Sequence, residues 1–112
     1  MATNAAFNHS SEALFAGTSQ TLLYGPVPSG TTVIVFSGAF ANTDTTNQVN
    51  HWVTLIRDNG SGVQSQLLTE IPIPFGGTSM CPKIVLLPGE ELYVLADTAS
   101  VVACTVEVVL LT

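Results

Sequence analysis

The sequence has very few charged side chains. Only 9% of its 112 residues are charged, and Lys and Arg together number two, Arg57 and Lys83. Ordinary soluble domains carry about 25% charged residues. Asp and Glu number eight, so the net charge is −6. Nucleic-acid backbones and anionic membrane surfaces are bound by groups of Lys and Arg side chains. The sequence therefore argues against nucleic-acid and membrane partners.

Long hydrophobic runs are also missing. The longest apolar stretch, VVACTVEVVLL, is interrupted by Glu107 and is much shorter than the ~20 residues of a membrane-spanning helix. The start, MATNAAFNHSSE, lacks the basic and apolar regions of a signal peptide. Without a secretion signal, Cys81 and Cys104 are expected to be free thiols. A free domain usually stays soluble with roughly 25–35% charged surface residues, so we expect other protein to cover much of this surface.

The third deficit is helical periodicity, because no ten-residue window has a convincing helical repeat. From Thr21 onward the chain consists of short runs of β-branched and aromatic residues between Gly, Pro, Asn and Asp clusters, which is typical of strands and turns. This pattern predicts an all-β domain over residues 21–112, an antiparallel β-sandwich or jelly roll of about seven or eight strands. Residues 1–20 have no sustained period and are predicted to form an extended N-terminal arm, with a short strand around Ala13–Ala16.

Catalytic motifs are not found. No serine lies in G-x-S-x-G, and the sequence contains neither a P-loop nor G-x-G-x-x-G. The two histidines, His9 and His51, do not form H-x-H, and no third histidine is available for a metal site of the cupin type. We therefore expect no enzyme activity, no cofactor and no metal.

Adjacent glutamates, Glu90 and Glu91, are the one pattern that suggests paired carboxylates. They follow Pro88-Gly89, a combination that favours a type II turn. Successive residues of a strand point to opposite faces. The two carboxylates are therefore predicted to diverge at the start of a strand and not to share a substrate or a metal ion.

The order of turns and strands resembles small β-sandwich proteins encoded among the structural genes of tailed bacteriophages. The resemblance covers about residues 20–112. The segments that carry it are turns and the strands that they begin: PVPSGTT (26–32), ANTDTTN (41–47), RDNGSG (57–62), LLTEIPIPFGGT (67–78) and LLPGEELYVLAD (86–97).

Several proteins of this group are jelly-roll decoration, or cement, proteins. The resemblance implies a homo-oligomer, expected to be a homotrimer, that binds the major capsid protein on the capsid exterior after synthesis in the host bacterial cytoplasm. It carries no catalytic residues. The arm would grip a neighbouring subunit, with Phe7, His9, Leu14 and Phe15 as the expected contacts.

Three alternatives remain open. A receptor- or glycan-binding module of a tail or fibre would have a shallow site holding Trp52, Tyr24 or Tyr93, since aromatic rings can stack on sugars, although a lone Trp in an alternating strand is typical of a core. A neck or tail-completion protein would assemble into a larger ring than a trimer. An enzyme of the cupin type would hold a metal ion.

Overall fold

Alternating apolar and polar residues give nine strands in the computed structural model, which describes residues 7–112. The described residues contain no helix, and hence none long and apolar enough to cross a membrane. The strands are β1 (Phe7–Phe15), β2 (Thr21–Tyr24), β3 (Thr32–Asn42), β4 (His51–Asp58), β5 (Gln64–Ile73), β6 (Thr78–Met80), β7 (Ile84–Leu86), β8 (Glu91–Ala96) and β9 (Val102–Leu111).

These strands form two antiparallel sheets. One has the order β1-β9-β3, with β6 and β7 both paired to β3, and the other has the order β2-β8-β4-β5. The first four strands alternate between the two sheets, β5 forms a hairpin with β4, and β6 and β7 return to the first sheet, where they pair with opposite halves of β3. Counted as one interrupted strand, β6 and β7 complete the eight-strand order of a jelly roll. The predicted sandwich is confirmed, with nine strand segments because Pro82 separates β6 from β7.

The core lies between the sheets. Alternate residues of β3, β4, β8 and β9 point inward, and their side chains are almost completely buried. In the last strand, β9, the inward residues are Val102, Cys104, Val106 and Val108, each at most 1% exposed. Phe40 of β3 is the largest fully buried side chain.

Residues 7–15, within the stretch predicted as an arm, form the edge strand β1. β1 pairs with β9 in unbroken antiparallel register, from Phe7 opposite Leu111 to Phe15 opposite Ala103. The strand is longer than the short one predicted around Ala13–Ala16. Its sequence shows no strict alternation because an edge strand with one open side tolerates Ser, Asn and Glu.

The tight connections follow the turn chemistry of the sequence. Gly60 in the β4–β5 hairpin and Gly89 before β8 have φ angles of 90° and 86°, which glycine adopts without the steric cost of a Cβ. The carbonyl oxygen of Leu87 accepts a hydrogen bond from the amide of Glu90 at 3.0 Å. The turn predicted at Pro88-Gly89 is thus closed as expected.

Candidate functional site

The solvent side of the five-stranded sheet, which we call the outer face, is apolar. Directly opposite residues of an antiparallel pair share a face, and the register places Phe15 opposite Ala103, Met80 opposite Ala39 and Val85 opposite Ile34. Large apolar side chains are consequently exposed: Phe15 54%, Phe36 39%, Met80 67%, Val85 50% and Leu87 54%.

The outer face follows from the sequences of its two central strands. β3 and β9 are apolar on both sides: behind their buried residues they carry Ile34, Ala39, Ala41, Val109 and Leu111. An antiparallel sheet with one solvated face normally alternates apolar residues inside with polar residues outside. Apolar residues on both sides of β3 and β9 are instead typical of a sheet whose two faces are both covered.

The outer face has almost no charge. Within β3, β6, β7 and β9, Glu107 is the only Asp, Glu, Lys, Arg or His residue. Its carboxylate oxygen lies 3.4 Å from the hydroxyl oxygen of Ser11 on β1. Other acidic side chains, such as Asp44, Asp58 and Asp97, lie in or next to the opposite sheet. Two copies of this acidic chain could therefore meet at the outer face with little repulsion.

The size of the outer face suits a stable contact. The outer face is about as long as β3 and four strands wide, counting β6 and β7 as one strand. With ~3.3 Å per residue and ~4.8 Å between strands, its area is about 700 Å². The largest apolar patch on a typical monomer measures about 300–600 Å², and a standard interface buries about 800 Å² on each partner. The outer face therefore approaches the dimensions of an interface.

The four residues predicted as arm contacts do not lie on one surface of the structure. Phe15 lies on the outer face, whereas Leu14 points inward and packs against the core. The side chains of Phe7 and His9 lie outside the described part of the structure. Met80, Val85 and Leu87 belong to the outer face but were not predicted, because their short strands show no alternation long enough to assign a face.

The three aromatic residues proposed for glycan stacking do not come together. Trp52 and Tyr93 share the solvent side of the four-stranded sheet, where Trp52 is opposite Pro72 and Tyr93 is opposite Ile56. Four residues of β4 separate Trp52 from Ile56, a distance of about 13 Å at strand spacing. Tyr24 lies in a groove between β1 and β2. A shallow site could use Trp52 or Tyr93, but not all three rings.

A buried ionic network joins three separate segments at one end of the sandwich. Nε2 of His51 lies 2.8 Å from Oδ2 of Asp44, and Nδ1 of His51 lies 2.9 Å from Oδ2 of Asp97. His51 and Asp44 are each 5% exposed. Oδ1 of Asp44 also accepts hydrogen bonds from the amides of Thr46 and Asn47, both at 3.1 Å. The network therefore fastens the loop of residues 43–50 to β4.

The charges of this network follow from its geometry. Both ring nitrogens of His51 face carboxylate oxygens, so both donate hydrogen bonds when the ring is the imidazolium. The hydrogen bonds to Asp44 and then to Asp97 raise the pKa of His51 above its ordinary 6.5. The hydrogen bond from His51, followed by the amide of Asn47, lowers the pKa of Asp44 to about 2.

The network has the geometry of a structural anchor. The two nitrogens of an imidazole ring point away from each other, so Asp44 and Asp97 lie on opposite sides of His51 and cannot converge on one ion. Across residues 7–112, no group of three His, Cys, Asp or Glu side chains is arranged to hold a metal ion. Sequence reasoning missed the network because its three members are far apart in the chain.

The adjacent glutamates make separate contacts. Oε1 of Glu90 accepts a hydrogen bond from the amide of Leu87 at 2.8 Å, and Oε1 of Glu91 accepts one from the hydroxyl of Tyr93 at 3.2 Å. Glu91 begins β8 and Glu90 precedes it, and each carboxylate makes only a local contact.

Both cysteines are free and buried. Burial raises the pKa of the Cys81 thiol to about 11 and that of the Cys104 thiol to about 12. Only a thiolate is a strong nucleophile, so these thiols are unreactive near neutral pH.

Comparisons with known proteins gave no match: no family model, no curated protein and no solved structure is similar to this chain.

Proposed function

We propose that this chain is a structural virion protein of a tailed bacteriophage, a capsid decoration protein that binds the assembled shell and stabilises it. The observation that carries the proposal is the apolar outer face, which an isolated subunit leaves in water. The shortage of charge, the jelly-roll strand order and the resemblance of the turn segments support the same proposal. Its partners are other copies of itself, in a homotrimer, and the major capsid protein.

The physical mechanism is linkage. A protein that binds only the assembled state of a shell shifts the equilibrium toward that state, by an amount that depends on its affinity and concentration. Contacts of modest affinity, repeated over a lattice, add through multivalency. A small domain with one apolar interaction surface is sufficient for this role, and no reactive side chain is required.

Electron microscopy of the native particle tests the proposal. Density for this sandwich on the outside of the capsid, in groups of three with the outer faces buried, is the expected result. Density at the neck, in a ring with more subunits, would instead identify a tail-completion protein. A monomer that is not associated with any particle would contradict both proposals.

A glycan-binding role on a tail or fibre is the second candidate. Trp52 and Tyr93 support it because they share the solvent side of the four-stranded sheet and are only partly buried. If sugars stack on Trp52, bacterial surface polysaccharide will quench its fluorescence. Trp52 is the only tryptophan, so the signal is unambiguous. Unchanged fluorescence at saturating polysaccharide would exclude this site.

A further inference from the structure

The four sheet edges differ in how open they are to another strand. β2 has four residues and a register shift, and β6 and β7 have three residues each. β5 is interrupted by two register shifts, by Pro72 and by Glu70 with a φ of 46°. Short strands, bulges and prolines are the ordinary devices that protect an edge from strand addition.

β1 has none of these devices. It runs for nine residues in unbroken register with β9, without Pro, Gly or Lys. The amide of Ala16 donates to the carbonyl of Val102 at 2.9 Å. Because successive residues of an antiparallel strand direct their amides to alternate sides, the amides of Ser11, Ala13 and Phe15 point away from β9. They form a row of hydrogen-bonding groups at the open edge of the described sheet.

A groove lies beside this edge, at the open mouth of the sandwich between β1 and β2. Its cavity has a volume of about 390 Å³, and its lining includes Leu22, Pro26, Pro28 and Leu110. Glu12 and Tyr24 also line it. No hydrogen-bond donor or cation within the described residues pairs with Glu12.

The chemistry of the groove selects a cation. A carboxylate beside an aromatic ring favours a guanidinium or an ammonium group, through charge pairing and through the face of the ring. The negative charge of Glu12 contributes, after burial, to raising the pKa of Tyr24, which places the two groups in one electrostatic environment. An anionic or purely apolar occupant would leave the Glu12 carboxylate without a counter-charge.

A second copy of this chain cannot supply that cation from a free strand. Arg57 lies in β4, which is paired on both sides, and its guanidinium donates to the carbonyl of Val85 at 3.1 Å. Lys83 lies between β6 and β7, next to Pro82. These are the only Lys and Arg residues in the sequence. An Arg or Lys on an extended segment of a different protein suits the groove better than either of these two side chains.

We propose that the β1 edge and the Glu12 groove bind an extended segment of another protein, which adds a strand to β1 and places an Arg or Lys side chain against Glu12 and Tyr24. Main-chain hydrogen bonds supply affinity in such strand addition, and alternate side chains supply specificity. The site uses the open backbone edge of β1 and the groove beside it, whereas the outer face is formed by side chains on the solvent side of the same sheet, so peptide binding can be tested whether or not the decoration function is correct.

The test uses the full chain and a capped nine-residue peptide of alternating Val and Thr with a central Arg, compared with the same peptide carrying Gln. Amide hydrogen exchange is followed by nuclear magnetic resonance. We expect the Arg peptide to slow exchange at Ser11, Ala13 and Phe15, and to bind about fivefold more tightly than the Gln peptide, the size of a partly exposed ion pair.

Two variants distinguish the contribution of the β1 backbone to peptide binding from that of the Glu12 carboxylate. Glu12→Gln removes the preference for Arg, whereas Glu70→Gln, the same change on β5, preserves it. Ala13→Pro removes one outward donor at an edge position that tolerates proline, so binding of both peptides falls at least tenfold. An unchanged circular dichroism spectrum and melting temperature establish that this variant folds.

Three results would overturn the proposal. The first is equal binding of the Arg and Gln peptides. The second is the absence of protection at the β1 amides at millimolar peptide. The third is protection of those amides without peptide that disappears on dilution, because a second copy of the chain would then occupy the edge.

Discussion

The side chain of His51 makes the stability of the fold depend on pH in two directions. Its raised pKa means that its contribution is complete below pH 6.5 and is lost as pH rises through the folded-state value. The lowered pKa of Asp44 means that its contribution is complete above pH 3.8 and is lost as pH falls toward about 2. The network therefore stabilises the fold most between these limits.

We expect urea unfolding midpoints to be highest between about pH 4 and about pH 6.5 and to fall on both sides. His51→Gln keeps a neutral polar group in place of the imidazolium, so its midpoint will be lower at pH 6 but will change less above that pH. The pKa of Asp58 is lowered chiefly by the amide of Gly60, so Asp58 also contributes to the loss of stability at low pH. If the urea midpoints of the wild type and of His51→Gln fall equally as the pH rises above 6.5, His51 is not the cause of the loss of stability.

The network also shows what residue-level sequence reading could not find. Asp44 lies in a loop, His51 begins β4 and Asp97 follows β8, so their proximity depends on the strand order and not on spacing in the chain. The divergent contacts of Glu90 and Glu91, by contrast, followed from the two-residue period of a strand. Patterns within one strand were predictable, and contacts between distant segments were not.

The packing of β3 against its neighbours requires a glycine in mid-strand. A Cβ added at Gly38 would lie 2.8 Å from the Cβ of Cys81 and 2.8 Å from the carbonyl oxygen of Thr105. Neither atom is at the end of a flexible side chain. We expect Gly38→Ala to lower the free energy of unfolding by ~1–3 kcal/mol, the usual cost of overpacking, as measured by urea denaturation. No change in stability would mean that β3 and the Cys81 segment are not in close contact.

Most strands could be predicted from the sequence, and the exceptions have physical causes. β3, β4, β8 and β9 are runs of six or more residues rich in β-branched and other apolar side chains, which predicts that they are strands. β6 has three residues, too few to show a period. β1 is specified by pairing with β9 and has little pattern of its own.

For the whole molecule, the outer face was only partly predictable. Val109 and Leu111 are apolar, whereas Thr105 and Glu107 on the same side of β9 are polar, a pattern that is typical of a strand end covered on both sides. The contribution of Met80 and Val85 depended on β6 and β7 pairing with β3. Low charge predicted a covered surface, but only the sheet order locates that surface.

The most direct test of the account is the mass of the protein in solution. Met80 and Val85 are 67% and 50% exposed, so Met80→Asp and Val85→Asp together add charge to the outer face without disturbing the core. Val63→Asp adds a charge at a residue 64% exposed beside the β4–β5 hairpin turn and serves as the control. We expect native mass spectrometry to show trimers for the wild type and for the control, and monomers for the double variant with an unchanged melting temperature. A wild-type protein that stays monomeric at every concentration, with capsids present as well as without them, would contradict the claim that this chain functions through contacts of its outer face.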